Sequence, residues 1–301
     1  MKVGFIGAGT MGRPMAGHLI DGGHALFVHD LAPVPQALLE KGAKACASGK
    51  EVAEAAEVII TMVPDTPQVE AALFGPGGVA EGLSAGKLVI DMSSISPLAT
   101  KDFARKINQQ GCDYLDAPVS GGEAGAKAAR LTIMVGGPEA AFARARPILH
   151  LLGQNITLVG SNGDGQTAKV ANQIVVAMTI QAVGEALVFA SKAGADPVRV
   201  RQALMGGFAG SKVLETHGQR MIERDFDPGF RVELHQKDLG LALVAARMLG
   251  LYLPGTAAAQ HLFNACVAMG GQAWDHSAMV KALETLAAHQ IGQRDASAML
   301  D

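Results

Sequence analysis

Aromatic side chains are scarce in this 301-residue chain: they make up 4% of it, whereas apolar residues of all kinds make up 49%. The core must therefore be filled by Ala, Val, Leu, Ile and Met. The chain also lacks a dominant charge, because its net charge is −3 and no five like charges follow one another. Nucleic-acid binding requires a basic surface, so we expect no nucleic-acid partner.

Cysteine is also rare. The three cysteines, Cys46, Cys112 and Cys266, are far apart, and no two of them form a Cys-x-x-Cys pair. This disfavours a zinc knuckle or a redox dithiol, and no group of His, Cys and carboxylate residues has the spacing of a metal site. We expect no metal, and we interpret the cysteines as reduced thiols packed inside a cytoplasmic protein.

The chain has no uninterrupted apolar run that suits a bilayer. Its most apolar long segment, 170–190, contains Asn172, Gln173, Gln181 and Glu185, which a membrane interior would penalise. The amino terminus is apolar, but glycines break it at once, and this is not typical of a signal peptide. We therefore expect a soluble protein with no membrane partner.

Short apolar runs alternate with helix-length segments over the first 160 residues. Each run is continuous and bounded by Gly, Pro or polar residues, as in strands that are buried on both faces. The predicted strands are Lys2–Ile6, Ala25–His29, Val58–Met62, Leu88–Asp91, Tyr114–Ala117 and Thr132–Val135. The predicted helices are Met11–Gly22, Pro35–Lys41, Gln68–Leu73 and Pro97–Gln110. This alternation predicts an α/β, Rossmann-type, doubly wound and mostly parallel sheet.

The pattern becomes wholly helical after about Asn162. The segment Gln166–Ala193 has one glycine and no proline, and Gly194 and Pro197 after it predict the end of one long helix and the start of the next. Loop breaks are predicted at Gly206–Gly210, Asp227–Gly229, Pro254–Gly255 and Gly270–Gly271. The predicted division is a dinucleotide-binding domain (1–162), an interdomain helix (163–194), an all-α substrate and oligomerisation domain (195–290) and a polar tail (291–301).

A glycine motif follows the first predicted strand and precedes a predicted helix. The sequence Gly7-Ala8-Gly9-Thr10-Met11-Gly12 matches G-x-G-x-x-G. In this context Gly7 permits a tight turn, Gly9 lets a pyrophosphate approach the backbone, and Gly12 lets the helix pack against the strand. The motif therefore predicts a dinucleotide site.

The second predicted strand leads into Asp30, eighteen residues beyond Gly12. A carboxylate at this point accepts hydrogen bonds from the adenine ribose hydroxyls and repels a 2′-phosphate. Leu31 follows where an NADP site often offers arginine, so the pattern favours NAD over NADP. The segments 62–65 and 91–94 leave two later strands at the same edge of the sheet, where open α/β folds bind ligands.

Two further segments carry candidate chemistry. Ser120-Gly121-Gly122 follows a predicted strand, and its backbone N–H groups could cradle a carboxylate, although a plain glycine-rich turn explains the same residues. Lys169, Asn172 and Gln173 lie at i, i+3 and i+4, hence on one face of the long helix. A lysine near a helix start is usually solvated, so the residues alone leave both interpretations open.

With these three motifs in order, the chain resembles the β-hydroxyacid dehydrogenase family from residue 1 to about 290. That family carries the glycine fingerprint, a DxPVSGG-type loop and a GxxxKxxNQ helix. Six segments are most similar to members that reduce tartronate semialdehyde (2-hydroxy-3-oxopropanoate) to D-glycerate: ITMVPDTPQV, IDMSSISPLA, DAPVSGGE, GGFAGS, DPGFRVELHQKDL and DHSA. The resemblance implies a reversible, NADH-dependent reduction of that aldehyde acid, with NADP as the alternative cofactor.

The resemblance also implies roles for single residues. Lys169 matches a catalytic lysine that protonates the developing alkoxide and, unlike arginine, can give up its proton. The implied substrate-binding residues are Ser120, Gly121, Gly122 and Asn172. The implied cofactor-binding residues are Gly7, Ala8, Gly9, Thr10, Met11, Gly12, Asp30, Val63, Pro64, Gln68, Ser94 and Lys237. Relatives often carry Asn in place of Gln68, and His235 near Lys237 is interpreted as structural.

Other functions stay open at this point. Within the family, 3-hydroxyisobutyrate dehydrogenase and reductases of succinic semialdehyde or glyoxylate share the first motifs, and spacing does not reveal the pocket. A 6-phosphogluconate dehydrogenase needs a larger helical domain than this chain has. In a different class, a non-catalytic dinucleotide-binding interaction protein would lack Lys169. The family also implies a homo-oligomer, a dimer or a tetramer.

Overall fold

The computed structural model describes residues 1–293, so most of the predicted tail (291–301) lies outside the described residues. The chain divides into two compact units, Met1–Lys169 and Val170–Asp301. The longest helix of the described chain, Asp164–Lys192, begins in the first unit and continues into the second.

Among the described residues, nine strands form one sheet, and all belong to the first unit. The strands are β1 (Lys2–Ile6), β2 (Ala25–His29), β3 (Lys44–Ala45), β4 (Val58–Thr61), β5 (Leu88–Asp91), β6 (Asp113–Asp116), β7 (Val119–Ser120), β8 (Leu131–Gly136) and β9 (Gly153–Gly160). Their order in the sheet is β3-β2-β1-β4-β5-β6-β8-β7, with β9 paired to β8. Neighbouring strands are parallel from β3 to β6, whereas β8 runs antiparallel to β6 and β7.

The central strands β1, β4, β5 and β6 are buried because helices cover both faces of the sheet. Alternate residues of β4 enter different clusters: Val58 and Ile60 pack on one face, and Ile59 packs on the other. The helices of this unit are α1 (Gly12–Asp21), α2 (Gln36–Glu40), α3 (Gly49–Ala55), α4 (Thr66–Phe74), α5 (Pro97–Asn108), α6 (Gly122–Lys127) and α7 (Glu139–Leu149). The predicted fold class, a doubly wound and mostly parallel sheet, is confirmed.

All six predicted strands are present, but three further strands and three further helices were not predicted. Strand β9 was missed because its sequence, GQNITLVG, alternates polar with apolar residues instead of forming an apolar run. Helix α3 carried a signal that could have revealed it: Ser48 accepts the backbone N–H of Glu51, while Glu51 Oε2 accepts the backbone N–H of Ala47. The sequence Ser-x-x-Glu is that of a capping box, although Glu51 here accepts the N–H of Ala47, the residue before the N-cap Ser48.

The second unit is all-helical among the described residues. It contains most of α8 (Asp164–Lys192), followed by α9 (Pro197–Met205), α10 (Lys212–Glu223), α11 (Val232–Leu249), α12 (Pro254–Ala268) and α13 (Met279–Ala287). The prediction of a loop break at Pro254–Gly255 was wrong, because these two residues begin α12. Proline is favoured in a first helical turn, where its missing N–H is not needed.

Helix α8 is long and apolar enough to cross a membrane by length and composition alone, with a mean hydropathy of 1.8 in its most apolar window. Core helices of soluble proteins meet the same criterion, and 44% of that window is buried within the structure. Polar side chains interrupt it, and Gln173 in its first half is 4% exposed and hydrogen-bonded to Asp238 on α11. These contacts are typical of a core helix.

Candidate active site and dinucleotide site

The glycine loop between β1 and α1 has the conformation that its three glycines require. Gly7 has a φ of +96°, and a Cβ there would lie 2.3 Å from the carbonyl oxygen of Met62. A Cβ on Gly12 would lie 1.8 Å from the carbonyl oxygen of Gly7, so larger residues are excluded by packing. A Cβ on Gly9 would meet no described atom within 4 Å. Protein packing therefore explains two of the glycines but not Gly9.

A dinucleotide fits this loop. Gly9 is exposed just before the amino terminus of α1, where backbone N–H groups and the helix dipole favour an anion. A glycine that packing does not require is explained by a pyrophosphate lying against the backbone. Thr10 and Met11 complete the turn, and the backbone N–H of Arg13 closes the first helical turn on the carbonyl of Gly9 at 2.9 Å.

Asp30 links the end of β2 to the same loop. Its Oδ2 accepts the backbone N–H of Ala8 at 2.6 Å, and its Oδ1 accepts that of Ala32 at 2.9 Å. The side chain of the intervening residue, Leu31, is fully exposed. The carboxylate is thus held beside the glycine turn in a fixed orientation. Asp30 is the residue that the sequence analysis predicts to favour NAD over NADP.

The loops after β4 and β5 are joined by hydrogen bonds at the carboxyl edge of the sheet. The backbone N–H of Val63 donates to Ser93 Oγ at 3.0 Å, and that of Ser96 donates to Thr66 Oγ1 at 3.1 Å. These bonds bring together the predicted cofactor-lining segments. Within them Val63 and Ser94 are half-buried, while Pro64 and Gln68 are exposed. The contribution of Ser93 was not foreseen from the sequence.

The predicted carboxylate loop, Ser120-Gly121-Gly122, lies between β7 and α6. Ser120 pairs with Thr132 across the sheet edge and is half-buried. Gly121 and Gly122 have φ values of +132° and +59°, which favour glycine over any residue with a side chain. The loop thus has the glycine-dependent turn that the sequence predicts, in the same unit as the dinucleotide loop.

Asp116, at the end of β6, fixes the start of α8. Its Oδ1 accepts the backbone N–H of Gly163 at 2.8 Å, and its Oδ2 accepts that of Gln166 at 2.9 Å. A Cβ on Gly165 would lie 2.8 Å from Oδ2, so a glycine is needed beside the carboxylate. Burial raises the pKa of Asp116 to about 6, against the opposing effect of these hydrogen bonds. Asp116 and the segment that begins α8 can both be read from the sequence, but the hydrogen bonds between them cannot.

Gln166 ties the first turn of α8 to the loop after β5. Its Nε2 donates to the carbonyl of Ser93 at 2.7 Å, and its Oε1 accepts the backbone N–H of Ile95 at 3.1 Å. Lys169 lies three residues further along the helix, hence on the same face, and is 6% exposed. The predicted catalytic lysine is therefore a buried residue, not the solvated one that a helix start usually carries.

A second polar network surrounds the next turn of α8. Asn172 Nδ2 donates to Gln173 Oε1 at 2.8 Å, and Gln173 Nε2 donates to Asp238 Oδ2 on α11 at 2.6 Å. Lys237 Nζ lies 3.1 Å from Asp238 Oδ1. Asn172 and Lys237, both predicted from the sequence, are thus joined through Gln173 and Asp238, whose linking role was not predicted.

Three histidines form a hydrogen-bonded chain that ends on α8. His217 Nε2 lies 3.1 Å from His276 Nε2, and His276 Nδ1 lies 2.9 Å from His235 Nδ1. His235 Nε2 then lies 3.1 Å from the backbone carbonyl of Gln173. His235 is fully buried and has a neighbour at both ring nitrogens, which agrees with its interpretation as a structural residue.

His217, Asp275 and His276 also form the single group of metal-ligand atoms found among the described residues. Asp275 is already saturated, because its Oδ1 accepts from Ser277 N and Oγ and its Oδ2 accepts from the backbone N–H of Gly229 and Phe230. An arginine guanidinium lies 3.5 Å from its Oδ2 as well. These contacts give Asp275 a structural role, because it holds the segments around Gly229 and Ser277 together.

Comparison with known proteins identifies the family of this chain. Residues 2–160 match a family model described as "NAD binding domain of 6-phosphogluconate dehydrogenase", and residues 163–283 match one described as "NAD-binding of NADP-dependent 3-hydroxyisobutyrate dehydrogenase". The chain belongs to the β-hydroxyacid dehydrogenase family. As a member of that family it is an oxidoreductase that acts on hydroxy acids, and its cofactor is NAD or NADP.

Relatives of this β-hydroxyacid dehydrogenase match over nearly the whole chain. This chain is 61% identical to the 2-hydroxy-3-oxopropionate reductase of Escherichia coli, over 97% of this chain and 100% of the relative. It is 39% identical over 95% of its length, and 96% of the relative, to the 2-(hydroxymethyl)glutarate dehydrogenase of Eubacterium barkeri. A solved 3-hydroxyisobutyrate dehydrogenase of Mycobacterium tuberculosis with L-serine has a TM-score of 0.86 at 33% identity, covering 94% of this chain and 98% of that one.

Proposed function

We propose that this chain catalyses the reversible, NADH-dependent reduction of 2-hydroxy-3-oxopropanoate (tartronate semialdehyde) to D-glycerate. The choice of substrate is supported by the 61% identity to the E. coli reductase over 97% of the chain. The structural observation that carries the proposal is the burial of Lys169, which is 6% exposed. It lies one helical turn beyond Gln166, whose side chain is hydrogen-bonded to the loop after β5.

Lys169 is proposed as the general acid. NADH, which the glycine loop and Asp30 would hold, would supply a hydride to the aldehyde carbon, and the carbonyl oxygen would gain negative charge. An ammonium beside that oxygen stabilises the charge and gives up a proton to form the alcohol, an effect of about 10²–10⁴ in rate. In the reverse direction the neutral amine accepts the alcohol proton, which arginine could not do. Asp116 and Gln166 act by holding the helix start in place.

The remaining predicted residues bind substrate and cofactor in this proposal. Ser120, Gly121, Gly122 and Asn172 hold the substrate, the first three through its carboxylate. The cofactor-binding residues are Gly7, Ala8, Gly9, Thr10, Met11, Gly12, Asp30, Val63, Pro64, Gln68, Ser94 and Lys237. The preference for NADH rests on Asp30, whose carboxylate is fixed beside Ala8, and on the exposed leucine that follows it.

A second candidate function is reduction of another short aldehyde acid. The M. tuberculosis relative is named a 3-hydroxyisobutyrate dehydrogenase, and the corresponding substrate here would be methylmalonate semialdehyde. Succinic semialdehyde and glyoxylate are the other candidates within the family. A non-catalytic dinucleotide-binding protein is less well supported, because this chain retains a lysine at the position of the family's catalytic lysine, Lys169.

The experiment is to follow NADH oxidation by the purified protein with these four aldehyde acids at matched concentrations. The proposal expects the highest kcat/KM with 2-hydroxy-3-oxopropanoate, and oxidation of D-glycerate in the reverse direction. A higher kcat/KM with methylmalonate semialdehyde would favour 3-hydroxyisobutyrate dehydrogenase. Tight NADH binding without turnover of any of the four would favour the non-catalytic protein.

We also propose that the protein is a soluble, cytoplasmic homo-oligomer, a dimer or a tetramer. The support is apolar surface on the helices of the second unit: Phe189 on α8 is 76% exposed and Leu286 on α13 is 79% exposed. Large apolar side chains clustered at a surface are typical of interfaces. Sedimentation equilibrium tests this, and a monomer at micromolar concentration would contradict it.

A further inference from the structure

The four polar side chains that run from Lys237 to Asn172 form a hydrogen-bonded chain with a fixed direction. Asp238 is 3% exposed and Gln173 is 4% exposed, so neither can exchange its partner freely with water. A carboxylate only accepts hydrogen bonds, so the end of Gln173 that faces Asp238 must be its NH₂ group. Gln173 therefore turns its Oε1 toward Asn172.

The orientation of the Gln173 amide in turn fixes the orientation of the Asn172 amide. Its carboxamide meets the oxygen of Gln173 at 2.8 Å, and an oxygen is bonded only by a donor, so Asn172 must present its NH₂ group on that side. Its own Oδ1 consequently points away from Gln173. Lys169 lies three residues before Asn172, hence on a neighbouring position of the same helix face.

We propose that Asp238 and Gln173 are positioning residues that fix the carboxamide of Asn172, so that its Oδ1 accepts a hydrogen bond from the C2 hydroxyl of the substrate. This inference rests on the proposed function, because it takes Asn172 as a substrate-binding residue. Asn172 then distinguishes aldehyde acids that carry a hydrogen-bond donor at C2 from those that do not. In this way the inference names a determinant of substrate choice.

The backbone supports the same orientation. His235 and Asp238 lie three residues apart on α11, and both contact Gln173: His235 at its backbone carbonyl (3.1 Å) and Asp238 at its side-chain amide (2.6 Å). His235 packs against Phe263, with 4.8 Å between ring centroids. Gln173 is thus held at two points, and rotation of its amide requires breaking the bond to Asp238.

The substitution Asp238→Asn should reverse the donor–acceptor direction of these hydrogen bonds without changing the shape of the side chains. Lys237 Nζ faces Oδ1 of Asp238 at 3.1 Å, so the oxygen of the new amide would remain on that side and its NH₂ group would face Gln173. Gln173 would then turn its oxygen toward this NH₂ group and its own NH₂ group toward Asn172. Asn172 would finally present NH₂, in place of Oδ1, to the substrate.

The test compares D-glycerate with its 2-fluoro analogue, 2-fluoro-3-hydroxypropanoate of matched configuration. Fluorine is close to hydroxyl in size but cannot donate a hydrogen bond. Its inductive effect on oxidation is common to all variants, so only a change in the hydroxyl-to-fluoro ratio of kcat/KM reports on Asn172. A lost bond that leaves an acceptor unpaired corresponds to about a tenfold change. We expect the ratio to fall by about tenfold in Asn172→Leu, which removes the acceptor, and by a smaller factor in Gln173→Met and in Asp238→Asn, where the reversed amide of Asn172 can still donate to the C2 oxygen.

The control is a matched pair on the same helix. Gln181 Nε2 donates to Glu185 Oε1 at 2.8 Å on the exposed surface, so Glu185→Gln removes a negative charge from an equivalent pair. This variant should leave the ratio unchanged. A ratio that is the same in Asp238→Asn, Gln173→Met and the wild type would overturn the inference.

Two direct variants keep the test decisive if those proteins are unstable. Asn172→Asp retains an acceptor for the substrate but loses the bond to Gln173 Oε1, so it should retain part of the preference for hydroxyl, whereas Asn172→Leu should lose it. Retention of the preference in Asn172→Leu would also overturn the inference. Failure of the proposed function is a separate outcome, because it would appear as absent wild-type turnover of 2-hydroxy-3-oxopropanoate and D-glycerate.

Discussion

The carboxylate of Asp116 accepts the backbone N–H of Gln166 at 2.9 Å, so the end of strand β6 caps the helix that carries Lys169. Its second oxygen accepts the backbone N–H of Gly163 at 2.8 Å. Two backbone donors are therefore satisfied by one buried side chain. The position of the proposed general acid thus depends on a residue that does not itself take part in the reaction.

Asp116→Asn should weaken this cap. An amide has one accepting oxygen, and its NH₂ group would face a backbone N–H, so one buried donor would lose its partner. We expect the free energy of unfolding to fall by about 1–3 kcal/mol, with a lower kcat because the first turn of α8 loosens. Urea unfolding followed by circular dichroism measures the first effect. Asp113→Asn at the half-buried start of β6, where the carboxylate pairs with Arg144, is the control, and an equal loss there would count against the cap.

Asp91 gives a stability prediction whose sign is opposite to that for Asp116, because its neutral variant should gain stability relative to the wild type as the pH rises. It is fully buried at the end of β5, and burial raises its pKa to about 6, against hydrogen bonds from Ser93, Thr61 and Tyr114. A carboxyl whose folded pKa exceeds its unfolded pKa, about 3.9, contributes stability below about pH 4, and that contribution is lost as pH rises through about 6.

Asp91→Asn removes this titration. Relative to the wild type, the variant should become more stable by about 1 kcal/mol when the pH is raised from 5 to 8. Urea unfolding at the two pH values measures the difference. An unchanged difference between variant and wild type would show that Asp91 does not titrate in this range.

Gly9 and Gly12 make a matched pair that separates packing from ligand binding. A Cβ on Gly12 would overlap the carbonyl oxygen of Gly7 at 1.8 Å, whereas a Cβ on Gly9 would meet no described atom within 4 Å. Gly12→Ala should therefore lower the free energy of unfolding by about 1–3 kcal/mol or more. Gly9→Ala should change it by no more than about 0.5 kcal/mol, while NADH affinity falls by about tenfold.

Calorimetric titration with NADH, together with urea unfolding, checks both members of this pair. If Gly9→Ala bound NADH as tightly as the wild type, the pyrophosphate would not lie against this backbone.

Asp30 should set the preference between the two cofactors. Its carboxylate is fixed by Ala8 and Ala32, so a 2′-phosphate in its place would meet a negative charge that cannot turn away. Asp30→Ser should lower the NADH-to-NADPH ratio of kcat/KM by at least about tenfold, because this repulsion is removed. Steady-state kinetics with both cofactors measure the ratio. A wild-type preference for NADPH would contradict the interpretation of Asp30.

The sequence predicted most of the fold because buried parallel strands are continuous apolar runs. Lys2–Ile6, Ala25–His29 and Leu88–Asp91 have the predicted bounds. Strand β9 escaped because one of its faces is exposed and its residues alternate. Pro254 was misread because proline is common both in loops and in first helical turns.

Some features of the candidate site could likewise be predicted from the sequence, and others could not. Motifs carried by consecutive residues, such as the glycine loop and Lys169 with Asn172, could be predicted from spacing. Contacts between distant segments could not, and these hold the site together: Asp116 lies 50 residues from Gln166, and Gln173 lies 65 residues from Asp238. A single sequence contains the polar residues but not the pairs that they form.

The central claim is that the amine of Lys169 protonates the oxygen that is reduced. Lys169→Met keeps most of the length of the side chain and removes its charge, and Lys192→Met removes an exposed lysine from the far end of the same helix. The decisive measurement is kcat for 2-hydroxy-3-oxopropanoate alongside the Kd for NADH. We expect Lys169→Met to lose about 10²–10⁴ in kcat, with NADH affinity within about twofold of the wild type and Lys192→Met unaffected. A Lys169→Met protein that keeps most of its turnover would contradict the account.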